Sequence, residues 1–224
     1  MNAIRKIMSL ITHPRKRSFA LNGLDLKLRH YLKFRNGFFV EAGANNGLAQ
    51  SNTLYFEKYY GWKGVLVEPI PELADQCRKN RPGSVVENAA LVPFDFGARS
   101  IAMRYCGLMS LVKGAMKSEA EDLSHVKIGC EIQKITSYEV QVPARTLTSV
   151  LDQYQVGGID LMSLDVEGFE LNVLRGLDLD KYRPKFILVE ARFREEINSH
   201  LKPYYEVAAE LSEHDVLYQV RSST

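Results

Sequence analysis

The stretch FFVEAGANNGLAQSNT, residues 38 to 53, decides the fold of this chain. Its first residues are apolar and indicate a buried strand, and its last six are typical of the start of a helix. Between them lie Glu41, Gly43 and Gly47. Glycine lacks a Cβ, so these positions allow a sharp turn and a close approach of a ligand to the backbone. The stretch therefore predicts a strand, a glycine-rich turn and a helix, an arrangement typical of nucleotide-type cofactor sites.

The acid ahead of the first glycine distinguishes between two classes of cofactor. The spacing here is GxxxG, whereas dinucleotide folds carry GxGxxG. A dinucleotide places its pyrophosphate at the helix N-terminus, where the carboxylate of Glu41 would repel it. S-adenosylmethionine instead carries a sulfonium and an ammonium group, which a carboxylate attracts. Glu41 therefore favours S-adenosylmethionine, and the alternative is a tight turn that holds no ligand.

Short apolar runs and helix-like stretches alternate along most of the chain. The apolar runs are FFVEAG, GVLVEP, SVVENAAL, IDLMSLDVEG and KFILVEA, and the helix-like stretches between them include SNTLYFEKYY, PELADQCRKN, TLTSVLDQYQ and ELNVLRGL. Nearly continuous apolar runs are typical of strands that are buried on both faces. The pattern predicts an α/β three-layer sandwich with a Rossmann-like, doubly wound and mostly parallel sheet.

Polar residues follow the second and third apolar runs. Glu68 ends GVLVEP, where a strand-end acid can accept both hydroxyls of a ribose. Asn88 ends the next run, and its amide can donate to and accept from an adenine edge, although a turn-forming Asn is an equal alternative. Both residues support a nucleoside ligand without identifying it.

Two further acids follow a later strand, in the stretch SLDVEGFELNVLRGL. Ligands bind outside the carboxyl ends of the strands in open α/β sheets, so we expect Asp165 and Glu167 to face the cleft. There they could bind a metal, accept a substrate proton or hold the ammonium group of a methionine moiety. The alternative is structural, with Glu167 as a first-turn helix acid and Asp165 as a cap.

The motifs VEAGANNG, SNTLYFE, GWKGVLVEP, NAAL and LDVEGFELNVLRGL, in this order, resemble the FkbM family of S-adenosylmethionine-dependent methyltransferases over roughly residues 36 to 191. The resemblance implies a class I methyltransferase fold and O-methylation of a hydroxyl on a sugar, a glycan or a natural product. It implies a donor loop of Glu41, Gly43 and Gly47, a ribose ligand in Glu68, adenine contacts at Asn88 and Ala89, and an acidic motif of Asp165 and Glu167. The predicted cofactor-binding set is completed by Ala44, Asn45, Asn52, Pro69 and Asp165 itself.

Methylation of a hydroxyl requires help from the protein, because a hydroxyl is a poor nucleophile. The candidates for a catalytic base are Asp165 and Glu167, with His125 or His214 as helpers from flanking segments. A divalent metal is a further alternative. The remaining histidines, His13, His30 and His200, are expected at the surface.

Two segments lie outside the regular alternation. Residues 1–35 form a predicted basic arm, with nine Lys or Arg against one acid, and the methyltransferase domain is predicted over 36–224. The arm could contact an anionic membrane, a nucleic acid or a nucleotide-linked glycan, or be a solvated leader. Residues 94–143 are a predicted insertion, either a determinant of acceptor specificity or a surface excursion. Beyond KFILVEA, the stretch PYYEVAAELSE resembles a helix, so the C-terminal hairpin of the sheet is expected to be shortened or closed differently.

The composition excludes several classes of protein. No apolar run reaches the roughly 18 to 20 residues that a transmembrane helix needs. Three cysteines without CxxC spacing indicate neither a disulfide framework nor a zinc site, which favours a cytoplasmic location. LDVEG lacks the prolines and the aromatic residue with which base methyltransferases grip a planar amino group, so a nucleic-acid acceptor is disfavoured. The expected partner is a small-molecule, sugar or glycan acceptor, and a homo-oligomer is compatible with the sequence. Other enzymes of this sheet type, such as nucleotide-dependent oxidoreductases, and a non-catalytic binding member are alternatives.

Overall fold

The computed structural model describes residues 17–221, which form two β-sheets and the helices that cover them. The main sheet contains β1 (Phe38–Ala42), β2 (Lys63–Val67), β3 (Val85–Glu87), β8 (Leu161–Leu164), β9 (Phe186–Glu190), β10 (Tyr205–Glu210) and β11 (Asp215–Val220). The smaller sheet contains β4 (Ala90–Leu91), β5 (Ser100–Tyr105), β6 (Leu111–Val112) and β7 (Tyr138–Arg145). The α-helices are α1 (Leu24–Leu28), α2 (Leu54–Tyr60), α3 (Pro71–Asn80), α4 (Glu119–Gln133), α5 (Leu147–Gln153), α6 (Glu170–Leu174) and α7 (Arg194–Leu201).

The main sheet has the order β10-β11-β9-β8-β1-β2-β3. β1 pairs in parallel with both β2 and β8, and only β11 runs against its two neighbours. The chain thus builds outward from β1 in one direction through β3 and then returns to its other side with β8. This reversal of strand order opens a crevice at the carboxyl end of β1, the place where open α/β sheets bind ligands.

The two faces of the main sheet are buried by different helices, as a doubly wound sheet requires. Val40 and Ala42 of β1 belong to a core formed with α5, α6 and α7. Phe39 points to the opposite face and packs in a core that contains residues of α1, α2 and α3. Because side chains alternate along a strand, an apolar strand such as β1 can contribute to both cores. The predicted α/β sandwich with a mostly parallel, doubly wound sheet is confirmed.

The smaller sheet is formed largely by the segment predicted as an insertion. β5 pairs antiparallel with both β6 and β7, and β4 pairs in parallel with β7. Helix α4 packs on this sheet, with Val126 in a core that also holds Met103, Leu111 and Val142. The side chain of Ser118 accepts a hydrogen bond from the backbone N–H of Glu121 and caps α4. The insertion is thus a folded lobe with its own core, attached beside the carboxyl ends of the main sheet.

The C-terminal prediction was wrong in one element. Tyr205–Glu210, expected to be part of a helix, forms strand β10, which pairs antiparallel with β11 and closes the sheet with a complete hairpin. The local sequence tolerates both states, and the free edge of β11 offers the hydrogen bonds that select the strand. Arg5, Lys6, Arg15 and Lys16 of the predicted basic arm lie outside the described residues. Across residues 17–221, no helix combines the length and the apolarity needed to cross a membrane.

Candidate functional site

A cavity of about 350 Å³ lies at the carboxyl ends of the central strands. One side is formed by residues that follow β1, β2, β8 and β9, and the other side by residues of the insertion. The predicted residues that line it are Glu41, Gly43, Ala44, Asn45, Asn52, Glu68, Pro69, Ala89, Asp165 and Glu167. The tertiary structure therefore gathers side chains that are separated by up to 126 positions in sequence, from Glu41 to Glu167, into one concave surface.

Glu41 lies at the bottom of this cavity, 4% exposed, and both of its oxygens are held by the chain. They accept hydrogen bonds from the hydroxyls of Ser51 and Thr53, at 2.9 and 2.6 Å, and from the backbone N–H of Asn52 at 2.8 Å. The fully buried Arg81 places Nη1 3.8 Å from Glu41 Oε2. Glu41 thus fixes the turn that leads into α2, and attraction of a cationic ligand remains a predicted second role.

Glu68 is also buried, and backbone groups of two loops bind it. Oε2 accepts the N–H of Asn45 at 2.8 Å, and Oε1 accepts the N–H of Ile70 at 2.9 Å. Burial raises the pKa of Glu68 to about 8, against the opposing effect of these two hydrogen bonds. Asn45 adopts a left-handed conformation, φ 48°, which aims its N–H at Glu68. The glycine-rich loop and the end of β2 are therefore joined through one carboxyl group.

The two glycines of the opening motif are required by packing within the protein. A Cβ on Gly43 would lie 1.8 Å from the backbone oxygen of Asp165, and its φ of +82° is itself unfavourable for other residues. A Cβ on Gly47 would lie 2.9 Å from atoms of Arg81 and Cys77. Gly47 does not contribute to the cavity lining. These close contacts between chain segments require both glycines, and the role of Gly43, which lines the cavity, in ligand approach stays a prediction.

The side chain of Asn88 bonds to the backbone after β2, and its predicted contact with an adenine edge stays a prediction. Its side-chain amide donates to the backbone oxygens of Glu68 and Pro69, at 2.9 and 2.8 Å. It does not contribute to the cavity lining, whereas the neighbouring Ala89 does. The alternative reading of Asn88 as a turn residue accounts for these bonds, because an amide that satisfies two backbone carbonyls holds the connection after β2 in place.

Asp165, Glu167 and Glu190 form an acidic cluster on the β8–β9 side of the cavity, with carboxylate oxygens within 4.8 Å of one another. Solvent reaches Asp165 through the cavity, yet the surrounding protein raises the pKa of Asp165 well above its usual range. The nearby carboxylates of Glu190 and Glu167 raise this pKa further. A carboxyl group with a raised pKa is a stronger base once ionised, so Asp165 is suited to accept a proton.

Arg192 balances part of this negative charge. Its Nη2 lies 3.1 Å from Glu167 Oε2 and 3.8 Å from Glu190 Oε2. The guanidinium of Arg192 thus offsets negative charge that a bound metal ion could otherwise neutralise. The oxygen spacing of the cluster is compatible with a divalent cation, but nothing else among the described residues points to one.

His125, from α4 of the insertion, contacts the same cluster from outside the cavity lining. It is 8% exposed, and its Nε2 lies 3.3 Å from Glu167 Oε2. His125 Nε2 has no hydrogen-bond partner among the described residues, so the contact with Glu167 is a close approach and not a hydrogen bond. His125 does not line the cavity. His214 is exposed in the β10–β11 turn and also lies outside the lining.

Neither His30 nor His200 belongs to the cavity lining. His30 is exposed, as expected, and His13 lies outside the described residues. His200 was expected at the surface but is half-buried, and burial lowers its pKa.

The loop that carries Asp165 and Glu167 is held by an acid that sequence reasoning did not select. Glu170 is fully buried, and its Oε1 accepts the backbone N–H groups of Val166 and Gly168, at 3.1 and 3.0 Å. Burial raises the pKa of Glu170 to about 7. Glu167 itself has a left-handed backbone, φ 55°, which this loop geometry imposes.

Asn52 contributes a polar atom that the protein leaves without a partner. Its Nδ2 donates to Ser163 Oγ at 3.1 Å, whereas its Oδ1 is buried and accepts no hydrogen bond from the described residues. Buried acceptors of this kind are rare unless water or a ligand satisfies them. Since Asn52 lines the cavity, its Oδ1 is available to a donor group of a bound ligand.

Sequence reasoning missed several residues of the site. Glu190 ends the apolar run KFILVEA and carries the same strand-end signal as Glu68, so it could have been found. Arg192, Leu108 and Ile132 carry no comparable signal, because only the tertiary fold brings them to the cavity. The same is true of Arg81, whose buried ion pairs join segments more than 20 residues apart.

The family model described as "Methyltransferase FkbM domain" matches residues 41–218. A curated relative, "Methyltransferase 1" of Beauveria bassiana, is 29% identical over 153 residues, which cover 64% of this chain and 59% of that protein. The matched part therefore spans somewhat more than half the length of this relative.

Two solved structures are similar in outline. A methyltransferase FkbM from Methylobacillus flagellatus is 12% identical with a TM-score of 0.48, covering 88% of this chain and 53% of that one. A methyltransferase from Geobacter sulfurreducens is 12% identical with a TM-score of 0.47, covering 100% and 91%. The family match extends from the first acid of the cavity to the last strand of the main sheet. This chain belongs to the FkbM methyltransferase family.

Proposed function

We propose that the protein is an S-adenosylmethionine-dependent methyltransferase that methylates a hydroxyl group of a small molecule, drawn from sugars, glycans and natural products. The observation that carries this proposal is the charge of the cavity. Among the described residues, five acids and one arginine line it: Glu41, Glu68, Asp165, Glu167, Glu190 and Arg192. A ligand that carries a sulfonium and an ammonium group complements such a surface, and it favours the ionised forms of Glu68 and Asp165, whose pKa values are raised in the free protein.

The residues present fit this donor in three respects. The cavity volume of about 350 Å³ lies in the range of small-molecule sites. The orphaned Oδ1 of Asn52 can accept a hydrogen bond from an ammonium group. Glu68, at the end of β2, can accept ribose hydroxyls once it is ionised. When bound, S-adenosylmethionine supplies a methyl group that its sulfonium already activates.

A dinucleotide-dependent oxidoreductase is the weaker alternative. Its pyrophosphate would need a helix N-terminus free of acids and with cations nearby. Here Glu41 and Glu68 flank the glycine-rich loop, and the arginine of the cavity lining, Arg192, is paired with Glu167. The charge pattern and the family membership therefore both favour the cationic donor.

The chain's own residues can assist an acceptor hydroxyl in two ways. Asp165 faces the cavity and, with its raised pKa, can take the hydroxyl proton. Glu167 accepts a hydrogen bond from Arg192, which orients its carboxylate to receive a further hydrogen bond from the acceptor. The apolar lining on the insertion side would exclude water around the reacting groups.

Isothermal titration with S-adenosylhomocysteine and with NAD tests the cofactor assignment. We expect binding of S-adenosylhomocysteine and none of NAD, and binding of NAD alone would overturn the proposal. Methyl-labelled S-adenosylmethionine, incubated with protein and a small-molecule extract, then tests catalysis. Label in an acid-stable methyl ether is expected, and it should disappear with Asp165→Asn. Donor binding without any labelled product would favour a non-catalytic member of the family.

A further inference from the structure

We infer that the insertion builds an apolar acceptor subsite, which takes an acceptor whose reactive hydroxyl is attached to an aliphatic or aromatic body. This inference rests on the proposed methyltransferase function and narrows its acceptor class. The cavity has two chemically distinct sides. All of its charged lining residues lie on the side formed by the strand ends, whereas residues 94–143, all of which are described, contribute no charged group to the lining.

The insertion side is made of flexible and branched apolar side chains. Met103, Leu108, Met109, Val112 and Ile132 line the cavity from β5, the turn Gly107–Met109, β6 and α4. These elements form one lobe with its own buried core, and the lining residues of the wall pack against that core. Thioether and aliphatic groups adapt to irregular apolar ligands and offer no strong hydrogen bonds.

The two polar side chains on this wall, Ser110 and Gln133, are already engaged within the lobe. Ser110 Oγ donates to the backbone oxygen of Gly107 at 2.7 Å and accepts the N–H of Cys106 at 2.9 Å. Gln133 Oε1 accepts the N–H of Leu108 at 2.8 Å, and its Nε2 donates to the backbone oxygens of Cys106 and Gly129.

These bonds leave the wall with little to offer a polyhydroxylated acceptor. Several hydroxyls of a sugar would lose water against this wall without gaining partners, which is unfavourable. An apolar part of an acceptor makes no hydrogen bonds to water, so it would lose none in the same position.

Three apolar side chains of the cavity lining are exposed to solvent. Ile132 is 70% exposed, Leu108 37% and Leu21 53%. Leu21 belongs to a separate segment, which a bridge between Ala20 and Gln50 attaches to the donor loop. Three exposed leucine or isoleucine side chains from three segments thus line the same cavity. Clustered exposed apolar groups of this kind mark a binding surface.

Binding of a neutral apolar probe tests this subsite without knowledge of the natural acceptor. N-phenyl-1-naphthylamine fluoresces when it enters an apolar site, and it can be displaced by 1-butanol, 1-hexanol and 1-octanol, or by methyl glucoside. With protein saturated by S-adenosylhomocysteine, we expect the alkanol affinity to rise about two- to fourfold per methylene. Methyl glucoside should not compete. Competition by methyl glucoside equal to that of 1-octanol would overturn the inference.

A matched pair of variants on one helix assigns the binding to the wall. Ile132→Glu alters a lining residue, whereas Ile128→Glu alters an exposed isoleucine, 48% exposed on α4, that does not line the cavity. We expect about a tenfold loss of probe affinity for Ile132→Glu and less than a twofold change for Ile128→Glu. Leu108→Ser should weaken probe binding in the same direction as Ile132→Glu.

Equal effects of the two isoleucine variants, or no effect of either, would refute the subsite. Retained binding of S-adenosylhomocysteine in each variant shows that the fold and the donor site are intact. If wild-type protein fails to bind S-adenosylhomocysteine, the proposed function fails, and the same probe titration without it still decides whether the wall binds apolar groups.

Discussion

His125 Nε2 lies 3.3 Å from Glu167 Oε2, although the two residues belong to different lobes of the fold and are 42 positions apart. The buried imidazole belongs to the insertion, and the carboxylate belongs to the loop after β8. Arg192 holds the same oxygen from the cavity side at 3.1 Å. The insertion therefore contacts the acidic cluster through His125, in addition to forming the apolar wall of the cavity.

Replacement of His125 by Phe should slow methyl transfer by about 10- to 100-fold, because Glu167 loses the imidazole nitrogen that lies 3.3 Å from its Oε2. Affinity for S-adenosylhomocysteine should stay within about twofold, since His125 does not line the cavity. The rate of S-adenosylhomocysteine release, with a small-molecule extract as the source of acceptor, measures the effect. His125→Gln, which keeps a hydrogen-bonding group near Glu167, should recover part of the rate.

The matched control is His30→Phe, at an exposed position of the described chain. A rate loss of similar size in His30→Phe, or a full rate in His125→Phe with unchanged thermal stability, would contradict this role of His125.

Donor affinity should increase as pH rises from about 6 to about 8 and then level off. The pKa of the Glu68 carboxyl is about 8 in the free protein, and only its ionised form accepts both ribose hydroxyls. Binding therefore favours the deprotonated form and releases a proton below pH 8, with an affinity change of up to about tenfold per pH unit. Titration calorimetry in two buffers of different ionisation enthalpy measures this proton release. Glu68→Gln should bind more weakly and lose the pH dependence. A pH dependence that persists in Glu68→Gln would instead implicate Asp165, whose pKa is also raised.

Glu170→Gln should make the protein more stable at alkaline pH. Burial raises the pKa of Glu170 from 4.5 to about 7, so wild-type protein loses stability as pH rises from about 4.5 through about 7 and the buried group ionises. A Gln at this position can keep the two hydrogen bonds that Oε1 accepts, and its amide nitrogen replaces Oε2, which has no partner among the described residues. The free energy of unfolding of Glu170→Gln relative to that of wild type should be up to about 3 kcal/mol higher above pH 8 than at pH 4.5.

Urea unfolding of wild type and Glu170→Gln at pH 5 and pH 8.5 measures that gain. If the difference in unfolding free energy between the two proteins is the same at both pH values, folding does not raise the pKa of Glu170.

Gly43→Ala should destabilise the fold strongly, because its Cβ would lie 1.8 Å from the backbone oxygen of Asp165. The backbone also has φ +82° there, so the expected loss is about 2 to 4 kcal/mol. Gly157→Ala is the matched control, since no atom lies within 4 Å of its added Cβ. The free energy of unfolding from urea titrations compares them. Similar stability of the two variants would show that the β1 and β8 ends can separate at little cost.

Much of the fold could be predicted from local patterns. The apolar runs that became β1, β2, β8 and β9 are long enough to be buried on both faces, and each is followed by a turn signal and a helix. Within the insertion, helix α4 begins at Glu119 because Ser118 caps it. Strand β7 was missed, although Tyr138–Arg145 alternates in character, and Tyr205–Glu210 was assigned to the wrong state. Strands depend on partners that are distant in sequence, so local patterns specify them less well than helices.

The candidate site could be predicted only in part. Strand-end acids identified Glu41, Glu68, Asp165 and Glu167, because parallel strands bring their carboxyl ends to one edge. The internal bonds of Asn88 and the packing role of Gly47 depend on neighbours that no local pattern reveals.

By itself the sequence determined the sheet, its doubly wound character and the acidic edge at the ends of its strands, because these follow from local hydrophobic periodicity and residue type. The family was indicated by the resemblance of its motifs and their order. Tertiary structure alone decided which carboxylates stay within the protein and which face the cavity, and it brought His125 and Arg192 to Glu167. It also set the apolar wall of the insertion against the acidic strand ends. The physical reason is that burial, charge pairing and raised pKa values depend on distances between segments, which folding fixes only when the two lobes pack together.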